Sequence, residues 1–293
     1  MPIWNNYHLA QSTNDALQAL SAAPGPARLI AGGTDLLLDL QQGRHPAVDT
    51  LVDVTGIPEL TALEFRGTDL FIGAAVPLSR IVRSPLVQQY AQALVEACDL
   101  IGGPQVRNTA TLGGNVAHAL PAADGTIALL ALGGVAEIAS ALDTRQAPLE
   151  DLFRGPGQSN LDPKRELLAG FYLPLKRPGQ ASAFSRVMRP QGVALPILNL
   201  AVWLERRADR IVDVRIAAGP SGPRPVRARA AEEAVRGQVF DGEALTTGLE
   251  ALLLEAHFRT SPYRATKEYR RDLAGVLLEE ALSTAWKRAE NSD

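Results

Sequence analysis

The stretch Ile101-Gly102-Gly103-Pro104-Gln105-Val106-Arg107-Asn108-Thr109-Ala110-Thr111-Leu112-Gly113-Gly114-Asn115, running on to Gly125, decides how this chain is read. It is rich in glycine and almost without charge, so it is neither an ordinary solvated loop nor a periodic helix. Within it, Thr109 to Asn115 sets small hydroxyl residues beside paired glycines, followed by an amide that can donate or accept. An earlier segment repeats that chemistry. Gly32-Gly33-Thr34-Asp35 follows the apolar run Arg28 to Ala31 and precedes Leu36, Leu37, Leu38 and Leu40, a place where main-chain N–H groups can turn toward a phosphate. The spacing matches neither the G-x-G-x-x-G fingerprint nor the Walker pattern. One such turn alone is an ordinary strand–helix connection. Two from different parts of the chain can clamp an extended diphosphate, or serve packing alone.

Working outward, Ser12 or Thr13 caps a helix carrying Ala16, Leu17, Ala19 and Leu20, and Val48 to Val54 reads as a strand, giving a first strand–helix–strand unit over 1–56. From 57 to 176 the texture changes to short strands, clearest at Leu70 to Ala74. Helices are expected over Val76 to Arg83 and Leu86 to Leu100, and apolar structure resumes at Ile127 to Leu132, Val135 to Ala141 and Leu167 to Leu173. Arg177-Pro178-Gly179 marks a boundary. The last unit, 177–293, has three strand candidates, Ala183 to Met188, Leu195 to Glu205 and Ile211 to Gly219, then helices over Pro225 to Arg236, Gly242 to Ala256 and Tyr263 to Lys287. The class is α+β.

At 293 residues the chain exceeds one typical core, and 46% hydrophobic with 21% charged residues is the balance of an ordinary globular protein. A net charge of -3 supplies no general field for nucleic-acid backbones, so none is expected as a partner. The longest charge-free apolar runs, Gly125 to Ala136 and Pro190 to Leu204, fall short of the roughly 20 residues a membrane span needs. No signal peptide is apparent in the first 20 residues, and a cytoplasmic location is expected. Cys98 is the only cysteine, so this chain cannot supply a cysteine-ligated iron–sulfur cluster. Cys98 lies in an apolar helical pattern, as an inert thiol would. No G-x-S-x-G elbow or H-E-x-x-H is present, and chemistry is expected from a cofactor. Asp124, in apolar surroundings, either caps the helix beginning at Thr126 or accepts from a polar ligand. His118 has no second ligand at metal spacing.

Taken together, Ala31 to Leu36, Ile101 to Asn108 and Ala110 to Asn115 resemble the FAD-binding medium subunit of the molybdenum hydroxylases, the xanthine dehydrogenase and aerobic carbon monoxide dehydrogenase family. Pro121-Ala122-Ala123-Asp124, Glu166-Leu167-Leu168, Ser182-Ala183-Phe184 and Pro225-Val226-Arg227-Ala228 extend the resemblance over essentially the whole chain. It implies a two-subdomain FAD-binding fold of the PCMH or vanillyl-alcohol-oxidase type, with subdomains at 1–56 and 57–176, then the small C-terminal domain typical of these flavoproteins. It also implies FAD contacts at Ala31, Gly32, Gly33, Thr34, Asp35, Leu36, Thr111, Gly114, Asn115 and Asp124. Leu29, Ile101 and Leu168 would flank the rings, and Ala110, Ala117, His118 and Ala123 would line the groove. Ser185 stands, with Arg186 after it, where the family commonly has a lysine near the flavin, and Arg189-Pro190-Gln191-Gly192-Val193 replaces the usual basic pair. The implied partners are a large subunit with a molybdopterin-type cofactor and a small subunit with two-iron clusters, in a dimer of heterotrimers. The alternative is a free-standing FAD-dependent oxidoreductase of the same fold.

Overall fold

The computed structural model describes residues 3–189 and 195–291. The first unit alternates β1 (Asn6–Leu9), α1 (Thr13–Ala22), β2 (Ala27–Ile30), α2 (Leu36–Gln41) and β3 (Thr50–Asp53). Its three strands are parallel in the order β1-β3-β2. The Ser12 hydroxyl caps α1 by accepting from the Asp15 N–H at 3.1 Å. β1 is an addition to the sequence reading: its side chains are mostly exposed, so no buried face leaves a hydrophobic alternation.

The second unit continues through β4 (Leu63–Arg66), β5 (Asp69–Gly73), α3 (Leu78–Arg83), α4 (Pro85–Tyr90), α5 (Gln92–Asp99), α6 (Pro104–Arg107), α7 (Leu112–Ala117) and α8 (Asp124–Ala131). It closes with β6 (Val135–Ser140), β7 (Thr144–Pro148), the small hairpin β8 (Phe153–Gly155) and β9 (Gln158–Ser159), and β10 (Glu166–Pro174). Its antiparallel sheet has the order β4-β5-β10-β6-β7. The single helix expected over Leu86 to Leu100 is two, because Ala91 leaves helical geometry at φ -140° and ψ 53°. No proline or glycine announces that break. Cys98 is fully buried, and burial pushes its thiol pKa up, as an inert sulfur requires.

The third unit holds β11 (Gln180–Met188), β12 (Pro196–Arg207), β13 (Arg210–Gly219), β14 (Val226–Arg227), α9 (Arg229–Val235), α10 (Gly242–Glu255) and α11 (Lys267–Glu290). The three-stranded meander is thus a four-stranded sheet: Val226 and Arg227, expected to open a helix, pair with Ala218 and Ala217 instead. The sheet is buried on both faces. The row Phe184, Ala201, Ala217 joins the core of the second unit, while Ala183, Val202 and Ile216 join the core under α9 to α11. Side chains of successive residues point to opposite faces of a strand, so one strand sequence serves both cores. Between units two and three, Glu96 of α5 accepts from the Phe184 N–H at 2.9 Å and pairs with Arg288 of α11. No helix among the described residues is long and apolar enough to cross a membrane.

Candidate functional site

The two glycine-rich segments meet. β2 runs out at Ile30, whose carbonyl accepts from the Val54 N–H at 3.0 Å, and the chain then turns through Ala31 to Asp35 into α2. Gly33 takes φ +64°, a left-handed conformation that favours glycine. A Cβ on Gly32 would fall 2.7 Å from the Thr109 carbonyl carbon and 2.8 Å from Ala110 Cα, so here the backbones of the two segments pass in direct contact. Among the described residues, nothing accepts a hydrogen bond from the main-chain N–H groups of Gly32, Gly33, Thr34 and Asp35. Four successive unpartnered donors are what an anion-binding turn has to offer.

The second segment is built differently. Its Thr111 hydroxyl caps α7 by accepting from the Gly114 N–H at 3.1 Å, and the Gly113 N–H donates to the Ala74 carbonyl at 2.8 Å. Gly113 is a packing glycine, since a Cβ there would lie 2.6 Å from Ala74. Gly114 is exposed, and a Cβ would meet only its own cap oxygen, 3.2 Å away, with open space beyond. The Asn115 side-chain Oδ1 accepts from the Thr126 N–H at 3.1 Å and the Thr126 hydroxyl at 3.3 Å, an approach that Gly125 permits.

An ion pair closes the gap between the segments. His118 Nδ1 lies 3.5 Å from the Asp35 carboxylate and Nε2 lies 4.0 Å from Asp39 on α2. Asp35, by hydrogen bonding and charge, raises the His118 pKa above the usual histidine value, and His118 lowers that of Asp35. No group of three or more His, Cys, Asp or Glu side chains among the described residues is placed to hold a metal.

Other expected residues fall around this meeting point to different depths. Leu36 opens α2 and is half-buried against the apolar cluster of Leu40 and Leu51; Leu29 and Ala31 are half-buried, as is Ile101. Ala117 is exposed one turn beyond Gly114, while Ala110 and Ala123 are buried. Leu168, expected beside a ring, is enclosed in the main core, because β10 is the central strand of its sheet.

Asp124 does not cap its helix. α8 begins at Asp124 itself, with Ala123 as the flanking residue and no side-chain cap. Its carboxylate accepts from Arg186 Nη1 at 2.5 Å and from Asn199 Nδ2 at 2.6 Å, and the side chains of Asp124 and Arg186 are each 5% exposed. Burial pushes the Asp124 pKa up, opposed by Arg186 and Asn199. Ser185 is also placed differently from the expectation. It lies between Ala183 and Val187, both against the core under α9 to α11, so strand alternation turns it away from the second unit and presents Arg186 there instead. Arg189 is exposed, and the rest of the segment to Val193 lies outside the described residues. Sequence reasoning missed Asn199, whose only signal is an amide inside the apolar run Leu198-Asn199-Leu200.

Comparison with known proteins places this geometry. A family model described as the FAD binding domain in molybdopterin dehydrogenase matches residues 4–176, and one described as the CO dehydrogenase flavoprotein C-terminal domain matches 182–285. The nicotine 6-hydroxylase medium subunit of Paenarthrobacter nicotinovorans is 31% identical, over 96% of this chain and 97% of its own. The carbon monoxide dehydrogenase medium chain of Hydrogenophaga pseudoflava is 27% identical over 96% of this chain and 97% of its own. Among solved structures, a chain of carbon monoxide dehydrogenase from Hydrogenophaga pseudoflava, in a form lacking the Mo-pyranopterin moiety, superposes with a TM-score of 0.92. It is 28% identical, over 98% of this chain and 99% of that one.

Proposed function

Because the chain belongs to the family of FAD-binding subunits of molybdopterin dehydrogenases, we propose that it is the FAD-carrying electron-transfer subunit of a molybdenum hydroxylase complex. It takes electrons from two-iron clusters on a small partner subunit and passes them to an external acceptor. The observation that carries the FAD site is the run of four unpartnered N–H groups at Gly32 to Asp35, set against a second segment whose Gly114 faces open space. FAD, when bound, supplies redox chemistry that no side chain here offers.

The chain's own residues do the holding. Gly32 to Thr34 donate main-chain N–H groups to the diphosphate. Gly114 leaves its flank clear, and Asn115, anchored through its oxygen on Thr126, keeps its amide N–H groups for the cofactor. Leu29 and Ile101 retain half-buried apolar surface for ring contact. When protonated, His118 offsets the charge of Asp35 and so reduces its repulsion of a bound phosphate.

One cysteine cannot hold a two-iron cluster, which supports placing the clusters on a partner. Clusters sit on the small subunit and the molybdopterin-type cofactor on the large one, in a cytoplasmic dimer of heterotrimers. The test is reductive titration of the isolated subunit beside the intact complex. Dithionite should bleach the flavin in both, and the complex's substrate should bleach it only in the complex. Substrate-dependent bleaching in the isolated chain, or purification of the native protein without cluster-bearing partners, would overturn this reading in favour of a free-standing oxidoreductase.

A further inference from the structure

The glycine-rich stretch that forms the second half of the site is gripped at both ends by the third unit. On the β11–β12–β13 sheet, the row Arg186, Asn199, Gly219 lies on the same face as Phe184, Ala201 and Ala217, the face against the second unit. At the entry to the stretch, Arg186 Nη2 donates to the Leu100 carbonyl. At its exit, Arg186 Nη1 and Asn199 Nδ2 hold the Asp124 carboxylate, and Asn199 also donates to the Ala122 carbonyl at 3.2 Å. The row ends in glycine because a Cβ on Gly219 would lie 2.5 Å from the Pro121 carbonyl oxygen. Asn199 is fully buried.

This is a costly arrangement for simple docking. The Arg186–Asp124 pair is taken out of water, and Arg186 Nε and Asn199 Oδ1 are buried without a partner among the described residues. Apolar residues of similar volume would join the two units with no such cost. What a planar guanidinium adds is simultaneous direction of two hydrogen bonds, one to each end of the stretch.

We propose that Arg186 and Asn199 are positioning residues of the third unit that hold the Ile101–Ala123 stretch, through Leu100, Ala122 and Asp124, in the shape that receives FAD. FAD affinity then depends on a unit whose two bracing side chains act through other residues. The inference rests on the FAD reading for its consequence, but the bracing can be read without cofactor.

The experiment compares Arg186→Met, Arg186→Lys and Arg288→Gln with the wild-type chain. Arg288→Gln is the control, because it removes one of the two Glu96 ties between the same units without touching Leu100, Ala122 or Asp124. In flavin-free protein, amide hydrogen exchange of Thr109 to Ala117 should speed up at least about tenfold in Arg186→Met and stay at the wild-type rate in Arg288→Gln. In FAD titrations followed by flavin fluorescence, Arg186→Met should weaken binding at least about tenfold, and Arg186→Lys should recover part of it by restoring the Asp124 pair. If Arg186→Met fails to fold, the intermediate exchange and affinity of Arg186→Lys carry the test. Unchanged exchange in the Arg186 variants, or equal acceleration in Arg288→Gln, would overturn the brace. Accelerated exchange confined to the Arg186 variants, in a wild-type chain that binds no FAD, would uphold the brace and sink the FAD reading.

Discussion

Replacing Gly32 by alanine adds one methyl group at the point where the two site segments cross. Its Cβ would sit 2.7 Å from the Thr109 carbonyl carbon, closer still to that carbonyl's oxygen, and 2.8 Å from Ala110 Cα, where 3.0 Å is the practical floor and contact begins to relax only beyond 3.4 Å. Both obstacles are main chain, so no side chain can swing aside, and the segments must part by up to about 1 Å, an overpacking worth about 1–3 kcal/mol. The same displacement moves the free N–H groups of Gly32 to Asp35 relative to Gly114. Losing one charge-assisted hydrogen bond costs about 1.5–3 kcal/mol, which corresponds to a loss of FAD affinity of roughly 10- to 100-fold. Urea unfolding of flavin-free protein gives the first quantity and fluorescence titration with FAD the second. Gly242→Ala is the control, since a Cβ there meets nothing within 4 Å. If Gly32→Ala matches the wild type in both measurements, the segments do not cross as described.

Other substitutions probe separate parts of the structure. His118→Gln removes the ion pair with Asp35; because the His118 pKa is raised on folding, its stabilisation is fully present below the ordinary value near 6.5 and is lost as pH rises through the raised one. With His118 and Asp35 both partly exposed, the effect is under about 1 kcal/mol; urea unfolding at pH 6 and pH 9 should show a difference from wild type only at pH 6, and an equal difference at both would refute the pairing. Ala208 takes φ +54° in the exposed β12–β13 turn, so Ala208→Gly should gain up to about 1 kcal/mol in thermal unfolding without altering FAD affinity; destabilisation would mean that the turn carries no left-handed strain.

What the sequence made legible were features with a local signature. Gly32-Gly33 between an apolar run and a leucine-rich helix announces its own turn, whereas the helix that Thr111 caps, inside a stretch read as neither loop nor periodic helix, does not. The contact of Gly32 with Thr109 and Ala110 has no such signature, because it exists only once two units dock. Arg186 and Asp124 are 62 residues apart, and nothing in either neighbourhood names the other. The position of Ser185 in a motif predicts a place near the flavin, but alternation along β11 gives Arg186, not Ser185, to the face against the second unit, since a one-residue step changes the face. Strand β14 was hidden by its length of two residues, too short for any period to show.

The central claim is that FAD is held between Gly32 to Asp35 and the segment containing Gly114. It is tested most directly by flavin released on denaturation, measured per chain, after incubation of wild type and Gly114→Val with FAD and removal of the excess. A Cβ at Gly114 would meet only the Thr111 hydroxyl, 3.2 Å away, so a branched side chain there extends from an exposed position in front of the segment. The wild-type chain should release equimolar FAD, and Gly114→Val should release essentially none while its circular dichroism remains that of the wild type. Full flavin occupancy in folded Gly114→Val, or a wild-type chain that retains no FAD, would contradict the account.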